Sequence, residues 1–394
     1  MKILHVTPFF YPAWAYGGIP RLSYHLAAEQ ARQGHTVHAV TTDALDQERR
    51  QEQSRFCVEG IAVRVYRNWS NAAAYQLQLF APQGLFAERD RIRDYDIVHI
   101  HGHRNFLNTR MAAYAHAAGV PTVMMPNGTL VNIERRQALK TIYDLLFGRR
   151  QVLRTSAWVA VAEVEKRQFV EMGIPAEKIA VIPNGVAMET DDAGIRFAEK
   201  HGLRGRYLLY LGKLTPRKGV EHLLAALPLI HDPELMIAVA GNDMGHLAFL
   251  KRQTRALGIR DRVVFTGLVA GADKAAAYRG ARLTVYPSCD EIFGLVPWES
   301  ILCGTPVIVA SGSGAEEWVG GAGAGTVVPY GNPAAIAEAV NRHDPMAAAE
   351  AVRRGRAFWE ERLAWPKVTA QMIQWYDQVV GAGFKPAPPE ADRA

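Results

Sequence analysis

Residues 283–302 read Leu-Thr-Val-Tyr-Pro-Ser-Cys-Asp-Glu-Ile-Phe-Gly-Leu-Val-Pro-Trp-Glu-Ser-Ile-Leu. An apolar strand ends at Pro287, and a helix is expected to open near Leu295–Pro297. Proline fits a first helical turn, where its missing N–H costs nothing. Glu291 then falls in the loop, and Glu299 sits one turn into the helix on the same side. The N–H groups around Phe293, Gly294 and Leu295 become the unpaired donors of a helix start, which can hold an anion. Two carboxylates beside an anion site are odd for phosphate alone. They make sense if each binds hydroxyls, one set on each side of a diphosphate. The plainer alternative is two solvated glutamates near a helix start, where acids are favoured anyway.

The same strand–loop–helix unit recurs along the chain. Apolar runs suited to strands are Lys2–Val6, Thr36–Thr41, Val63–Tyr66, Ile97–Ile100, Thr122–Met125, Trp158–Val161 and Ile179–Ile182. After them come Leu208–Leu211, Met236–Ala240, Val263–Phe265, Leu283–Tyr286, Val307–Val309 and Thr326–Val328. Most are apolar throughout, as strands buried on both faces must be. Helical stretches lie between them, such as Arg21–Gln33, closed by Gly34, and Val220–Leu227 with Leu223, Leu224 and Leu227 on one face. Alternating strand and helix implies an α/β chain with parallel sheets wound on both sides. The pattern breaks at Ile182-Pro183-Asn184-Gly185-Val186, passes a polar stretch at Glu189–Gly205, and restarts. A length of 394 residues agrees with two domains. In such sheets ligands bind beyond the carboxyl ends of strands, and the default site is the cleft between domains.

Composition removes other classes. At 49% hydrophobic and 21% charged residues the chain is ordinary for a globular protein, and three cysteines suit a reducing compartment. A net charge of +6 is too small to argue for nucleic acid, and no recognition motif for it appears. No apolar run reaches the ~18–20 residues of a membrane span. Met1–Val6 is too short an apolar start for a signal peptide, so a cytoplasmic location is expected.

Three further loops carry candidate chemistry. Tyr16-Gly17-Gly18 follows the first strand and lets backbone N–H groups approach an anion, although it lacks the G-x-G-x-x-G of dinucleotide sites. His99-Ile100-His101-Gly102-His103 ends a strand. A metal is disfavoured there because no Asp, Glu or Cys follows at ligand spacing, and one histidine facing the cleft, with His99 in the core, is expected instead. Gly212-Lys213-Leu214-Thr215-Pro216-Arg217-Lys218-Gly219 clusters three cations between a strand and a helix, which suits a diphosphate but also an ordinary basic turn.

Taken together these loops resemble glycosyltransferase family four, the retaining enzymes of the GT-B fold. Glu291…Glu299 matches the family's E-x7-E motif in the context P-S-x-x-E-x-F-G-L, followed by Cys303-Gly304-Thr305-Pro306-Val307-Ile308. Gly17-Gly18, His101, Pro183-Asn184-Gly185, Lys213…Lys218-Gly219, Val264-Phe265-Thr266-Gly267 and Gly312–Glu317 match in order, over about residues 1–380. The resemblance implies two Rossmann-like parallel-sheet domains facing a central cleft. Residues 1–183 would form the acceptor-side domain and 184–366 the nucleotide-sugar domain. A helix at 367–380 would cross back onto the first, and 381–394 would be a disordered tail. It also implies roles. Glu299 would bind the ribose, Glu291 the donor sugar beside Phe293 and Gly294, and Lys213 and Lys218 the diphosphate next to Gly212 and Leu295. Leu268 would lie by the base, Gly18 near the diphosphate, and His101 near the donor sugar. No metal or other cofactor is implied. Two positions depart from the family: Lys213 stands where an arginine is usual, and Asn127-Gly128, on the acceptor side, where His-Gly is common.

The function implied is transfer of a hexose from a UDP- or GDP-sugar to a glycan or lipid-linked acceptor in cell-surface polysaccharide synthesis. A nonhydrolysing nucleotide-sugar epimerase of the same fold is the alternative, disfavoured by the full E-x7-E context. Residues 135–154 hold six cations and one acid, Asp144, with Leu139, Ile142, Tyr143, Leu146 and Phe147 at helical spacing. Such a segment fits an anionic membrane surface, or equally a helix whose apolar side faces the domain core.

Overall fold

The strand segments pair as two separate sheets. In the first, β1 (Lys2–Val6), β2 (Thr36–Thr42), β3 (Arg55–Val58), β4 (Ile61–Tyr66), β5 (Ile97–His101), β6 (Thr122–Met125), β7 (Ala157–Ala160) and β8 (Ile179–Val181) lie in the order β3-β4-β2-β1-β5-β6-β7-β8. In the second, β9 (Tyr207–Leu211), β10 (Ile237–Ala240), β11 (Val263–Gly267), β12 (Ala281–Tyr286), β13 (Val307–Ala310) and β14 (Thr326–Val328) lie in the order β11-β10-β9-β12-β13-β14. The computed structural model describes residues 1–77, 80–130, 141–188, 197–289 and 291–382.

Every pairing is parallel except β3 with β4. The reason is burial. All five residues of β5 and all four of β6, β7, β10 and β13 are buried, so helices must cover both faces. In the first sheet, Leu4, Val6, Val98, Ile100 and Met124 pack on one face and Val37, Ala39, Ile61 and Val63 on the other. In the second, Leu208, Tyr210, Ile237 and Val239 oppose Tyr207, Leu209, Ala238 and Ala240. Each of the larger aliphatic side chains among them contributes about 1.5–3 kcal/mol through burial, and each alanine methyl about 0.8 kcal/mol.

The thirteen strands expected from sequence all form, within two residues at either end. The exception is β3, which was not anticipated. It is an antiparallel edge strand with no fully buried residue, so it lacks the continuous apolar run that marked the others.

The chain divides into two compact units, Met1–Gly185 together with the chain from Trp365 onward, and Val186–Ala364. These limits replace the 184–366 span read from sequence for the second part. The helix Trp365–Gly381 belongs to the first unit, where it lies against the helix Gly18–Arg32. It buries Val368, Met372, Tyr376 and Val379, which recur every three to four residues along one face. Residues 383–394 lie outside the described residues, as do 131–140 and 189–196.

Candidate functional site

The second sheet contains a topological switch point. From β9 the chain steps outward to β10 and β11, then returns to the other side of β9 as β12. The loops after β9 and β12 therefore leave neighbouring parallel strands in divergent directions, which opens a crevice at their carboxyl ends. Lys213–Gly219 and Pro287–Gly294 are those two loops. They touch: the Cys289 N–H donates to the Arg217 carbonyl at 3.0 Å. Gly219 has φ +64°, and a Cβ there would run into the Pro287 carbonyl oxygen, so only glycine permits this approach. Gly314 serves the same loop from β13, since its Cβ would meet the Ile292 carbonyl oxygen.

Glu291 and Lys218 meet in this crevice as a direct ion pair. The Tyr286 hydroxyl donates to Glu291 Oε2 at 2.6 Å, and Lys218 Nζ donates to the Tyr286 hydroxyl oxygen at 3.0 Å. Burial works to raise the Glu291 carboxyl pKa, but the Lys218 charge and the bonds from Lys218 and Tyr286 hold it below the usual carboxylate value. Tyr286 itself is pushed well above the ordinary phenol, first by burial and then by the Glu291 charge, so it stays a donor. The pair keeps about a quarter of each side chain exposed, which leaves room for a ligand.

Glu299 has a matching environment. It lies on the helix Leu295–Leu302, capped by Gly294 at φ +78°. Lys274 Nζ donates to Glu299 Oε1 at 2.5 Å and the Tyr278 hydroxyl donates to Oε2 at 2.8 Å. Lys274 and Tyr278 stand four apart on the helix Gly271–Gly280, one turn above each other. The helix bearing Glu299 is anchored by Trp298, fully buried and stacked on Phe358 at 5.7 Å. Each motif glutamate is thus held by one lysine and one tyrosine. Nothing in the sequence pattern marks Tyr286, Tyr278 and Lys274 as site residues. The i,i+4 spacing of Lys274 and Tyr278 was visible, but what they face depends on the packing of two helices.

Among the remaining candidates of this unit, Gly212 and Lys213 follow β9, and the Tyr210 hydroxyl donates to the Lys213 carbonyl at 2.9 Å. Leu268 is exposed beyond β11. Phe293 is buried against Trp318, with ring centroids 5.9 Å apart, and Leu295 opens the helix. Glycine at 294 is needed for the turn, where a Cβ would press on Ala315 at 3.0 Å.

In the first unit Gly18 opens the helix that follows β1 and is exposed. His101 does not present an open imidazole as expected: it is 1% exposed and lies beside His99 and His5, with the His99 and His101 rings stacked at 4.2 Å. The third histidine of the group is His5 of β1, and His103 instead contacts Asp144. Nitrogens of His5, His99 and His101 fall within 4.8 Å of one another. The rings lie within 12–26° of parallel, and His5 Nδ1 meets His101 Nε2 at 2.8 Å, a hydrogen bond between the two. The chain's single Asp-x-Asp, Asp94-Tyr95-Asp96, precedes β5, at the amino edge of the sheet. There Asp96 accepts the Lys2 N–H at 2.7 Å.

Asn127 and Gly128 form a turn after β6, both with left-handed φ of 51° and 78°. The buried Glu165 holds this turn, accepting from Gly128 N–H at 2.7 Å and Val161 N–H at 2.8 Å. Further along, Ile142, Leu145, Leu146 and Leu153 are each more than half exposed. That removes the core-facing reading for Ile142 and Leu146, while Arg135, Arg136, Leu139 and Lys140 lie outside the described residues.

Comparison with known proteins adds a family. The model for Glycosyltransferase Family 4 matches residues 16–190, and that for Glycosyl transferases group 1 matches residues 191–348. An uncharacterized glycosyltransferase of Methanocaldococcus jannaschii is 29% identical over 360 residues, covering 87% of this chain and 88% of that one. A D-inositol 3-phosphate glycosyltransferase of Acidothermus cellulolyticus is 30% identical over 305 residues, covering 72% of this chain and 67% of that one. The structure of HepE from Anabaena in complex with UDP is similar with a TM-score of 0.72 at 20% identity, over 95% of this chain and 99% of that one. At that identity the likeness speaks for the fold alone. With the paired glutamates at the switch point and both halves of the chain matched, this protein belongs to glycosyltransferase family four and is a glycosyltransferase of the GT-B fold.

Proposed function

We propose that the chain is a retaining hexosyltransferase that uses a UDP- or GDP-linked sugar and a glycan or lipid-linked acceptor in building cell-surface polysaccharide. The observation that carries this reading is the pairing of Glu291 with Lys218 and Tyr286 where the β9 and β12 loops meet. A glycosyl donor breaks its anomeric C–O bond and sends the electron pair to a diphosphate oxygen. Lys218, Lys213 and the N–H groups at the start of the Leu295–Leu302 helix stabilise that charge. Cationic side chains thereby take the part that a divalent metal takes in other transferases. Glu299, oriented by Lys274 and Tyr278, takes the ribose hydroxyls, and Glu291 a hydroxyl of the sugar. Retention then follows from attack on the same face that the diphosphate leaves, with the acceptor proton passing to a phosphate oxygen. HepE, a protein of this fold, was solved with UDP, which agrees with a uridine donor.

The exposed Ile142, Leu145, Leu146 and Leu153, beside Arg149, Arg150 and Arg154, support a peripheral position on the anionic inner face of a membrane. A cytoplasmic enzyme with a lipid-linked acceptor would work there.

The test is a panel of UDP-, GDP- and ADP-sugars, read by thermal shift and by slow hydrolytic release of the nucleotide. One UDP- or GDP-sugar is expected to stabilise the protein and be hydrolysed. Glu291→Ala is expected to keep the far-ultraviolet spectrum and lose nearly all release. Undiminished release by that variant would sink the assignment.

A further inference from the structure

We infer that Gln30, His5 and Tyr376 are positioning residues that hold His101 as one tautomer, protonated on Nε2, with a bare Nδ1 offered to a hydroxyl of a bound sugar. That the partner is a sugar rests on the function proposed above, whereas the tautomer does not.

The argument runs along one chain of hydrogen bonds in the first unit. Gln30 Oε1, an oxygen that can only accept, lies 2.6 Å from His5 Nε2, so that nitrogen carries a proton. His5 is fully buried, and desolvation lowers its pKa to about 4, so the ring is neutral and its Nδ1 is a lone pair. That Nδ1 lies 2.8 Å from His101 Nε2, which must therefore be the protonated nitrogen of His101. Burial keeps His101 neutral too, so its Nδ1 has no proton. This atom is enclosed and has no hydrogen-bond partner among the described residues.

Tyr376 sets the direction of the chain. Gln30 Nε2 donates to the Tyr376 hydroxyl oxygen at 3.4 Å, which orients the amide and leaves Oε1 toward His5. The Tyr376 hydroxyl hydrogen then goes to His99 Nδ1. His99 in turn stacks on His101, at 12° between the planes, and fixes the ring's tilt. Five residues from β1, β5, the Gly18–Arg32 helix and the Trp365–Gly381 helix thus end on one unpaired acceptor. His101 also lines a cavity of ≈ 10 Å³ with Met125, Asn184 and Trp365, room for about one water or hydroxyl. Asn184 Oδ1 and Trp365 Nε1 are likewise enclosed without partners there. Two acceptors and one N–H suit a hydroxyl, which donates and accepts, and do not suit an anion.

The experiment is a two-bond proton–nitrogen correlation spectrum of the full chain labelled with 15N-histidine, at pH 7 without ligand. A His101→Asn preparation assigns the signal. Expected is a pyridine-type Nδ1 and a pyrrole-type Nε2 at His101. A protonated Nδ1, as a turned-over Gln30 amide would produce, overturns the inference, and so does an imidazolium. In Gln30→Leu the His101 signal is expected to shift toward a mixture of tautomers. Its kcat for nucleotide-sugar hydrolysis should fall about 10-fold, less than the ~10⁴ seen where a general-base histidine loses the group that fixes its tautomer. Its KM should stay within about 2-fold, because the hydroxyl contact at Nδ1 strengthens in the transition state rather than adding ground-state binding. An unchanged spectrum or an unchanged kcat in that variant also overturns the inference. Should Gln30→Leu fail to fold, the wild-type spectrum decides alone. Should no nucleotide sugar be turned over by the wild type, the glycosyl-donor reading falls while the spectrum still decides the relay.

Discussion

Glu291 shows how a single residue's state depends on its neighbours. Desolvation favours its neutral form, and one lysine and one tyrosine reverse that preference. Lys218 is at once the counterion of Glu291 and the cation assigned to the diphosphate, so a nucleotide must share its ammonium with the carboxylate. Lys218→Ala is expected to weaken UDP or GDP binding by about 2 kcal/mol, the loss of one charged hydrogen bond and roughly 30-fold in Kd. Isothermal calorimetry measures this, and unchanged affinity would remove Lys218 from the diphosphate site. Both residues were legible in the sequence because charged groups in a strand-end loop suggest a ligand. Tyr286 was not legible. A tyrosine at the end of an apolar strand looks like core, and only the fold of the loop after β12 brings Glu291, five residues on, to its hydroxyl.

At the scale of elements, the turn after β6 rests on a carboxylate from the helix Glu163–Glu171. Burial raises the Glu165 pKa from 4.5 to about 7, against the two backbone N–H groups that favour its charge. An acid raised in the folded state contributes its stability below the unfolded pKa and loses it as pH rises through the folded one. The chain should therefore lose about 3 kcal/mol from this group between about pH 4.5 and pH 7. Glu165→Gln should flatten that slope. Urea midpoints of both proteins from pH 5 to 8 check this, and parallel slopes would refute it. The strands themselves were legible because burial on both faces forces a continuous apolar run. The edge strand β3 escaped, since one-sided exposure breaks that run. His99 and His101 lie on one side of β5, as strand alternation requires, but whether that side faces a ligand or the core was decided by the helices laid over it.

For the molecule as a whole, two sheet units come from one chain that leaves the first at Gly185 and rejoins it at Trp365. Trp365 packs closely against Gly185, where any Cβ would strike its indole ring. The exposed apolar residues between 142 and 153, with their arginines, belong to this scale because the partner proposed for them, a membrane, is larger than the protein. Vesicles containing anionic lipid are expected to co-sediment the protein at low salt and to release it as salt screens the charge. Leu145→Glu with Leu153→Glu should abolish co-sedimentation, and absence of wild-type binding at low salt would end the membrane reading.

Local chemistry determined much of this protein from sequence alone. Apolar runs dictated the strands, glycines and prolines the turns, and the order and spacing of the loop motifs together, Glu291 and Glu299 among them, the family. What needed the tertiary structure was every relation between residues far apart in the chain. Lys218 with Glu291, Lys274 with Glu299 and Gln30 with Tyr376 are separated by 73, 25 and 346 positions. Strand order and helix packing bring them together, and through desolvation and hydrogen bonding that packing decides which groups are charged and which nitrogens carry a proton.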